Sequence, residues 1–169
     1  AGVLRSARVV SRVGSGISNV DLDAAEKLGV AVRSTPDAPV EAVAELTLGC
    51  LLSLLRGIPA ASAGLRAGGW TKVTGTQLAG KTVVIVGFGR IGRRVAELLK
   101  PFRVNLLAVD PALSGNAEGV RVAPLDAALP KADIVTLHCS GDGPLLGARE
   151  LSRMKPGAFL LNASRGGLI

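Results

Sequence analysis

The stretch with the clearest chemical potential is GFGRIG at 87–92, which has the spacing GxGxxG. It follows an all-apolar run at 82–86 and opens a segment of helical character, and Asp110 ends the next apolar run, 18 residues after Gly92. Such glycines permit a tight turn and a close approach to a pyrophosphate, and a helix N-terminus attracts phosphates. The pattern predicts a dinucleotide-binding turn; the alternative is a glycine-rich turn without a ligand.

Asp110 indicates which dinucleotide would bind. A carboxylate at this position accepts hydrogen bonds from both hydroxyls of the adenosine ribose, and its charge repels a 2′-phosphate. The residues that follow, Pro111, Ala112 and Leu113, include no Arg to receive such a phosphate. The sequence therefore predicts NAD rather than NADP as the cofactor, and it predicts no metal site.

A second candidate group is Arg165, which follows the run LLNAS at 160–164 and precedes two glycines. The run is typical of a buried strand, and a strand that leads into Arg-Gly-Gly indicates a strand tip carrying a charged side chain. Ligands in parallel α/β sheets bind at the carboxyl ends of the strands. We therefore expect Arg165 to reach into a cleft.

His138, the only histidine, ends the apolar run DIVTLH at 133–138. One interpretation is a general base, which would need an orienting acid such as Asp142. The other is a structural or cofactor-lining side chain that moves no proton. Cys139 beside it has two similar interpretations, as a reactive thiol or as a residue of the pocket wall.

The composition narrows the range of partners and locations. The 169 residues are 48% hydrophobic and carry a net charge of +7, but the basic residues are scattered and only 2% are aromatic, so no nucleic-acid partner is expected. No apolar run approaches the ~18 residues that would cross a bilayer, so no membrane partner is expected. Two cysteines, Cys50 in an apolar run that predicts a core position and Cys139, favour a reducing, cytoplasmic location.

From Lys81 onward, apolar runs alternate with helical segments. The predicted strands are separated by helices or helical turns at 89–102, 126–132 and 147–157. Runs that are apolar throughout are typical of parallel strands buried on both faces. The alternation therefore predicts an α/β fold with a doubly wound parallel sheet.

The first 70 residues have another pattern. The sequence predicts a strand at 7–14, a helix at 18–29 capped by Ser18 or Asn19, and a strand at 30–34. A linker at 34–40 that contains two prolines follows. A long helical stretch at 41–70 follows, with a break near Gly57 and Pro59. Its apolar face is wide enough to need burial on more than one side, either in a subunit interface or inside the core.

Three stretches together resemble the D-isomer-specific 2-hydroxyacid dehydrogenases, and most of all the phosphoglycerate dehydrogenase branch. The cofactor signature of that family is similar to VVIVGFGRIG with the following AVD, and the first half of its second signature to ADIVTLH. Its third signature is similar to MKPGAFLLNASRGGLI, except at the last residue, where the family usually has Asp, Asn or Val. With the flanks SRVGSGISNVDLDAA and TPDAPVEAVAELTLG, the resemblance covers nearly all of 7–169.

The resemblance implies a domain organisation. In the family, the cofactor domain is inserted between two segments of a smaller α/β substrate domain. Residues 1–36 would then be the C-terminal part of the first substrate-domain segment, and residues 37–169 most of a Rossmann-type NAD-binding domain. The helix from Glu41 would be the family's dimer-forming element, so a homodimer is expected.

The resemblance also implies roles for individual residues. Arg165 matches the catalytic Arg of the family and would bind the substrate carboxylate and polarise its carbonyl oxygen. The backbone of Ser15 and Gly16 would bind the same carboxylate from the other side. The implied cofactor contacts are Ser15, Gly87, Gly89, Arg90, Ile91, Gly92, Asp110, Cys139, Ala163, Ser164 and Arg165.

The match to the family departs in several places. Its proton-transferring Glu and His, and the Asp that recognises the nicotinamide amide, lie downstream of the Arg signature and match no residue here; His138 is not the catalytic His. We therefore expect a piece of a longer protein, which by itself binds NAD weakly and has no useful turnover. The loop at 139–143 lacks the usual Pro and Thr, and the hinge at 37–39 lacks an Asn-containing turn.

The sequence thus leaves three hypotheses. The first is part of an NAD-dependent oxidoreductase that transfers hydride between nicotinamide and C2 of a small D-2-hydroxy acid, with 3-phosphoglycerate as the best single candidate. The second is an NAD-binding regulatory or scaffold protein of the same fold without significant turnover, which the altered loop at 139–143 favours. The third is an unrelated enzyme of the Rossmann type.

Overall fold

The structure is a computed structural model that describes residues 6–17, 19–141 and 143–169. The chain divides into two compact units, a first up to Ala42 and a second from Val43 to Ile169. This boundary lies in the first turn of the longest helix, Val40–Arg56, and therefore after the domain boundary expected at residue 36.

The first unit is a parallel strand pair with one helix. Its elements are β1 (Val9–Arg12), α1 (Leu22–Lys27) and β2 (Ala31–Ser34). Ala25 of the helix and Val30 before β2 are buried and form its small apolar core. A short parallel pair needs a crossover connection, which α1 provides.

The N-cap of α1 differs from the prediction. Asp21 has an extended backbone, and its Oδ1 accepts a hydrogen bond from the Ala24 N–H at 2.9 Å. Asn19 is therefore not the cap, and Ser18 lies outside the described residues. Asp is as good an N-cap as Asn or Ser, so residue type alone did not discriminate between these positions.

The second unit contains a six-stranded sheet. Its strands are β3 (Thr82–Val86), β4 (Asn105–Val109), β5 (Asn116–Ala117), β6 (Val120–Val122), β7 (Ile134–Leu137) and β8 (Phe159–Asn162). Their order is β5-β6-β4-β3-β7-β8, and every neighbouring pair is parallel except β5–β6. The helices are α2 (Val40–Arg56), α3 (Ile58–Arg66), α4 (Arg90–Leu99), α5 (Leu125–Ala128) and α6 (Ala148–Leu151).

Both faces of this sheet are covered. Alternate residues of β3 point to opposite sides: Val83 and Ile85 pack in one apolar cluster with α2 and α4, and Val84 and Val86 pack in the other with α5. These four side chains are at most 4% exposed. The all-apolar run is thus explained by burial on both faces, and the predicted doubly wound α/β fold is confirmed.

Two local features differ from the sequence predictions. Cys50 is exposed, because α2 buries Ala44, Thr47, Leu51 and Leu55 on one side and Cys50 lies off that stripe. The short antiparallel strand β5 was not predicted, since two residues carry no apolar periodicity. The predicted break in the long helical stretch is present at Gly57, which adopts φ +62° between α2 and α3.

No single helix among the described residues is long and apolar enough to cross a bilayer. Together, α2 and α3 pass that test of length and composition, but they are bent by 65° at the break between them.

Candidate functional site

A cleft of about 960 Å³ opens at the carboxyl edge of the six-stranded sheet. Its wall includes four of the residues predicted to contact a cofactor, namely Gly87, Gly89, Asp110 and Cys139. The ends of β3, β4 and β7 supply these residues, so the parallel sheet brings together groups that are far apart in the sequence. The cleft has the size and position of a cofactor site in this class of fold.

The three glycines of the 87–92 turn have different roles. Gly87 adopts φ +89°, and a Cβ there would lie 2.5 Å from the Cys139 backbone nitrogen. A Cβ on Gly92 would overlap the carbonyl oxygen of Gly87, so this glycine lets α4 pack on β3. A Cβ on Gly89 would meet no protein atom within 4 Å. Gly89 therefore leaves open space beside the backbone, where a phosphate can approach.

The N-terminus of α4 faces the same turn. Its N-cap is Gly89, which has no side chain to accept hydrogen bonds from the first turn of the helix. An anion can take the place of a capping side chain, and the helix dipole favours it. Arg90, Ile91 and Gly92 lie at this helix start, where the pyrophosphate contacts were predicted, rather than in the wall of the cleft.

Asp110 has a fixed orientation in the cleft. Its Oδ2 accepts a hydrogen bond from the Phe88 N–H at 2.9 Å, and its Oδ1 accepts one from the Ala112 N–H at 3.0 Å. A carboxylate has about four lone-pair sites, so acceptor capacity remains for ribose hydroxyls. The contact with Phe88 connects Asp110, the residue predicted to bind the ribose, directly to the glycine turn.

His138 lies in the cleft wall as a neutral side chain. Its Nε2 is 2.9 Å from Thr136 Oγ1, and burial lowers the pKa of His138 to about 4. Its partner is thus a hydroxyl, whereas the acid considered in the sequence, Asp142, lies outside the described residues. This environment favours the cofactor-lining interpretation over that of a general base at pH 7.

Cys139 lines the cleft next to His138. Burial raises the pKa of the Cys139 thiol, and the negative charge of Asp110 raises it further. A protonated thiol is a poor nucleophile, which favours the pocket-wall interpretation of Cys139. The described residues contain no group of three or more His, Cys, Asp or Glu side chains suited to a metal ion.

Arg165 follows the carboxyl end of β8, the strand that pairs with β7. Its side chain is exposed, and Nη1 donates to the Ser164 carbonyl at 3.1 Å. Asn162 fixes this strand end, since its Oδ1 accepts from the Ser164 N–H at 3.0 Å and its Nδ2 donates to the Arg165 carbonyl at 2.7 Å. Sequence reasoning missed Asn162, although an Asn two residues before a turn is a known signal.

Not every predicted contact lies in the cleft. Ala163, Ser164 and Arg165 continue β8 at the same edge of the sheet without forming part of the wall. Conversely, Ser114, which precedes the β5–β6 hairpin, and Val122, the last residue of β6, belong to the wall and were not predicted. No sequence signal marks them, because they contact the cleft only through the fold.

Ser15 and Gly16 belong to the first unit. The preceding Gly14 donates its N–H to Thr35 Oγ1 at 2.8 Å, which connects the turn after β1 to the end of β2. Ser15 is exposed in this turn. The roles of Ser15 and Gly16 in binding substrate and cofactor stay predictions.

The glycine turn, the oriented Asp110 and the cleft agree with the comparison to known families. Residues 48–169 match the family described as D-isomer specific 2-hydroxyacid dehydrogenase, NAD binding domain. The chain belongs to this family. NAD is accordingly the cofactor of the domain that the chain contains, and the geometry of the turn fits it.

Individual members of the 2-hydroxyacid dehydrogenase family are similar over nearly the whole chain. The D-3-phosphoglycerate dehydrogenase of Homo sapiens is 39% identical, over 96% of this chain and 32% of that protein. The enzyme of the same name from Methanocaldococcus jannaschii is 37% identical, over 96% and 33%. The chain therefore spans about a third of the length of these curated relatives.

A solved structure shows the same arrangement. The apo-structure of D-lactate dehydrogenase from Escherichia coli is 36% identical and superposes with a TM-score of 0.85. The match covers 96% of this chain and 54% of that one. The resemblance to the 2-hydroxyacid dehydrogenases inferred from the sequence is thus confirmed at the level of the family.

Proposed function

We propose that this chain provides the NAD-binding domain and the substrate-binding Arg165 of an NAD-dependent oxidoreductase. The reaction would transfer hydride between nicotinamide and C2 of a small D-2-hydroxy acid. The supporting observation is the position of Arg165 after β8, at the carboxyl edge where β7 brings His138 and Cys139 to the cleft. A permanently charged guanidinium beside a nicotinamide cofactor suits the binding of a 2-hydroxy carboxylate.

The residues of the chain would bind and orient the reactants. NAD, when bound, supplies the nicotinamide ring that accepts or donates the hydride. Asp110 accepts hydrogen bonds from the ribose, and the open side of Gly89 admits the pyrophosphate. Arg165 binds the substrate carboxylate and stabilises negative charge on the C2 oxygen. Because a guanidinium has hydrogen-bond donors and no acceptor, the proton of the C2 hydroxyl needs a separate acid–base group.

For the substrate we propose 3-phosphoglycerate. The relatives of 37–40% identity named D-3-phosphoglycerate dehydrogenase support this choice. The first unit, taken by itself, places the guanidinium of Arg12 beside the Gly14 turn, and a guanidinium suits an anionic group. Arg12 Nε is buried there without a hydrogen-bond partner among the described residues.

The test is a substrate panel with the complete gene product and NADH. We expect the highest kcat/KM for the 2-oxo form of 3-phosphoglycerate, above pyruvate and glyoxylate. If only the unphosphorylated acids were reduced, the proposed dehydrogenase activity would stand, but 3-phosphoglycerate would be refuted as the substrate. Tight NADH binding without reduction of any 2-oxo acid would favour the regulatory or scaffolding alternative.

We further propose a homodimer with α2 and α3 in its interface. The support is a set of exposed apolar side chains on and after these helices, of which Trp70 is 87% and Leu46 61% exposed. Patches of this kind commonly mark subunit interfaces. Light scattering should give twice the chain mass, and the double substitution Leu46→Glu, Leu54→Glu should give the monomer mass. Dimer formation depends on concentration, so the wild-type protein should be measured at about 100 μM. A monomer mass at that concentration would refute the dimer.

A further inference from the structure

We propose that Arg93 is a positioning residue for the adenosine half of the cofactor. It acts on Asp110 through Phe88, and on the wall of the cleft through Glu118. The proposal deepens the cofactor site described above and rests on it. Neither the glycine pattern nor the family signature points to Arg93, because it lies one residue beyond the last glycine of the turn.

Phe88 is the link between Arg93 and Asp110. Its ring is buried, with 1% exposure, and its N–H donates to Asp110 Oδ2 at 2.9 Å. Its carbonyl accepts a hydrogen bond from Arg93 Nε at 3.0 Å, and the Arg93 guanidinium lies 5.6 Å from the centre of its ring. Side chain, N–H and carbonyl of Phe88 are therefore all fixed. Loss of Arg93 would release the Phe88–Gly89 peptide, which is the neighbour of the Gly87–Phe88 peptide whose N–H orients the carboxylate of Asp110.

Glu118 connects Arg93 to the β5–β6 hairpin. Arg93 Nη1 forms an ion pair with Glu118 Oε1 at the tip of the β5–β6 hairpin. Glu118 adopts φ +52° in this two-residue turn, which a hydrogen bond from the Gly119 N–H to Asn116 Oδ1 stabilises at 2.9 Å. Gly115, at the base of the same hairpin, lines the cleft. Arg93 thus connects the glycine turn to the hairpin whose two ends contribute Gly115 and Val122 to the cleft wall.

An arginine suits both contacts at once. Its guanidinium has donors on Nε and both Nη atoms in a rigid plane, so it can bond a carbonyl and a carboxylate while its face lies on a ring. A lysine has one ammonium and cannot reach Phe88 and Glu118 with the same geometry. The Arg93 side chain is 37% exposed, and an ion pair this exposed contributes little to stability. Its effect is therefore expected on cofactor binding rather than on folding.

Arg94 provides a matched control on the same helix. It is 35% exposed and forms an ion pair at 2.8 Å with Glu97, which is 51% exposed, as Glu118 is. Among the contacts of Arg94, the substitution Arg94→Ala therefore removes an ion pair within α4 whose exposure matches that of the Arg93 pair. A difference between the two variants reports the contacts of Arg93 with Phe88 and the hairpin.

The experiment measures three ligands in the complete gene product carrying Arg93→Ala, Arg93→Lys or Arg94→Ala. NADH, ADP-ribose and reduced nicotinamide mononucleotide are titrated by calorimetry, and the Tm of each variant is recorded. For Arg93→Ala we expect the Kd of NADH and of ADP-ribose to rise by the same factor, roughly five- to tenfold, which is the size of one ordinary hydrogen bond. The mononucleotide should bind as to wild type, Arg93→Lys should not restore binding, and Arg94→Ala should change none of the three.

The outcomes separate this inference from the cofactor site itself. A wild-type protein that binds neither NADH nor ADP-ribose would refute the cofactor site and the inference with it. Normal wild-type binding with equal effects of Arg93→Ala and Arg94→Ala would refute the inference alone. The inference would also be refuted if Arg93→Ala weakened binding of the mononucleotide, or if its loss of NADH affinity accompanied a fall in Tm. Either result would show a general effect on the fold.

Discussion

The two edges of the six-stranded sheet differ in how their polar groups are satisfied. At the carboxyl edge, His138 Nδ1 and Ser164 Oγ are buried without a hydrogen-bond partner among the described residues. At the amino edge, the Asp133 carboxylate accepts bonds from the Thr82 N–H at 2.8 Å and from Lys155 Nζ at 2.9 Å. The carboxyl edge opens into a cleft of about 960 Å³, the amino edge into a crevice of about 190 Å³.

This difference separates function from stability within one sheet. Unsatisfied buried polar atoms cost free energy and persist mainly where a ligand can use them. Paired groups at a strand start, such as Asp133 and Lys155, connect neighbouring elements instead. Changes at the carboxyl edge should therefore affect binding or catalysis, in some cases together with stability, whereas changes at the amino edge should affect stability alone.

The largest effect on the free energy of unfolding is expected for one of two glycines at the carboxyl edge, Gly92, and not for the other, Gly89. Gly92→Ala places a Cβ against the backbone oxygen of Gly87, where no flexible side chain can yield, so we expect a loss of several kcal/mol in the free energy of unfolding. Gly89→Ala should fold normally and bind NADH poorly, because its Cβ occupies the space left for phosphate. Urea unfolding and NADH titration of both variants measure this. Equal stability of the two variants would contradict the packing argument.

Arg165 should affect turnover without affecting the cofactor. In the complete gene product, Arg165→Ala should lower kcat by about 10²–10³, a range typical for the loss of one group that stabilises developing charge. The Kd of NADH should stay within about twofold, since Arg165 lies outside the cleft wall. Arg149→Ala, which removes an exposed pair with Asp126, is the control. A variant of Arg165 with normal kcat would exclude a catalytic role.

Acid should destabilise the protein through His138. The ordinary pKa of a His is 6.5 and burial lowers that of His138 to about 4, so between these pH values the unfolded chain binds a proton that the folded chain does not. Its contribution to stability is complete above pH 6.5 and is lost as the pH falls towards 4. Between pH 7 and 4.5 we expect wild type to lose about 2–3 kcal/mol more than His138→Gln. Parallel pH profiles of the two proteins would contradict this.

The smallest effect is expected at the amino edge. The hydrogen bond from Thr82, and then that from Lys155, lower the pKa of Asp133, so its stabilising effect is present above pH 3.8 and is lost on acidification below that value. Asp133→Asn should therefore reduce the free energy of unfolding by about 1 kcal/mol at pH 7. NADH titration of the variant should match wild type. A change in cofactor affinity would break the division between the two edges.

Much of the site was predictable because its signals are contiguous. The glycine turn and Asp110 were predicted from residue type and position after a strand, and the contact of Cys139 from the family resemblance. Gly87, Gly89, Asp110 and Cys139 lie in the wall of the cleft, and their roles as cofactor contacts stay predictions. The core position predicted for Cys50 was wrong, because an apolar run on a helix does not show which residues face outward. The roles of Ser15 and Gly16, the homodimer and the cytoplasmic location stay predictions.

The sequence by itself determined the strand–turn–helix unit around 82–99 and the preference for NAD, because both depend on neighbouring residues and on their backbone requirements. Only the tertiary structure decided that Phe88 contacts Asp110, that Arg93 contacts Glu118 and that His138 is neutral. Those features depend on residues separated by 20 or more positions, or on burial. Parallel strands joined by crossover helices bring such residues to one edge, and no local pattern encodes that arrangement.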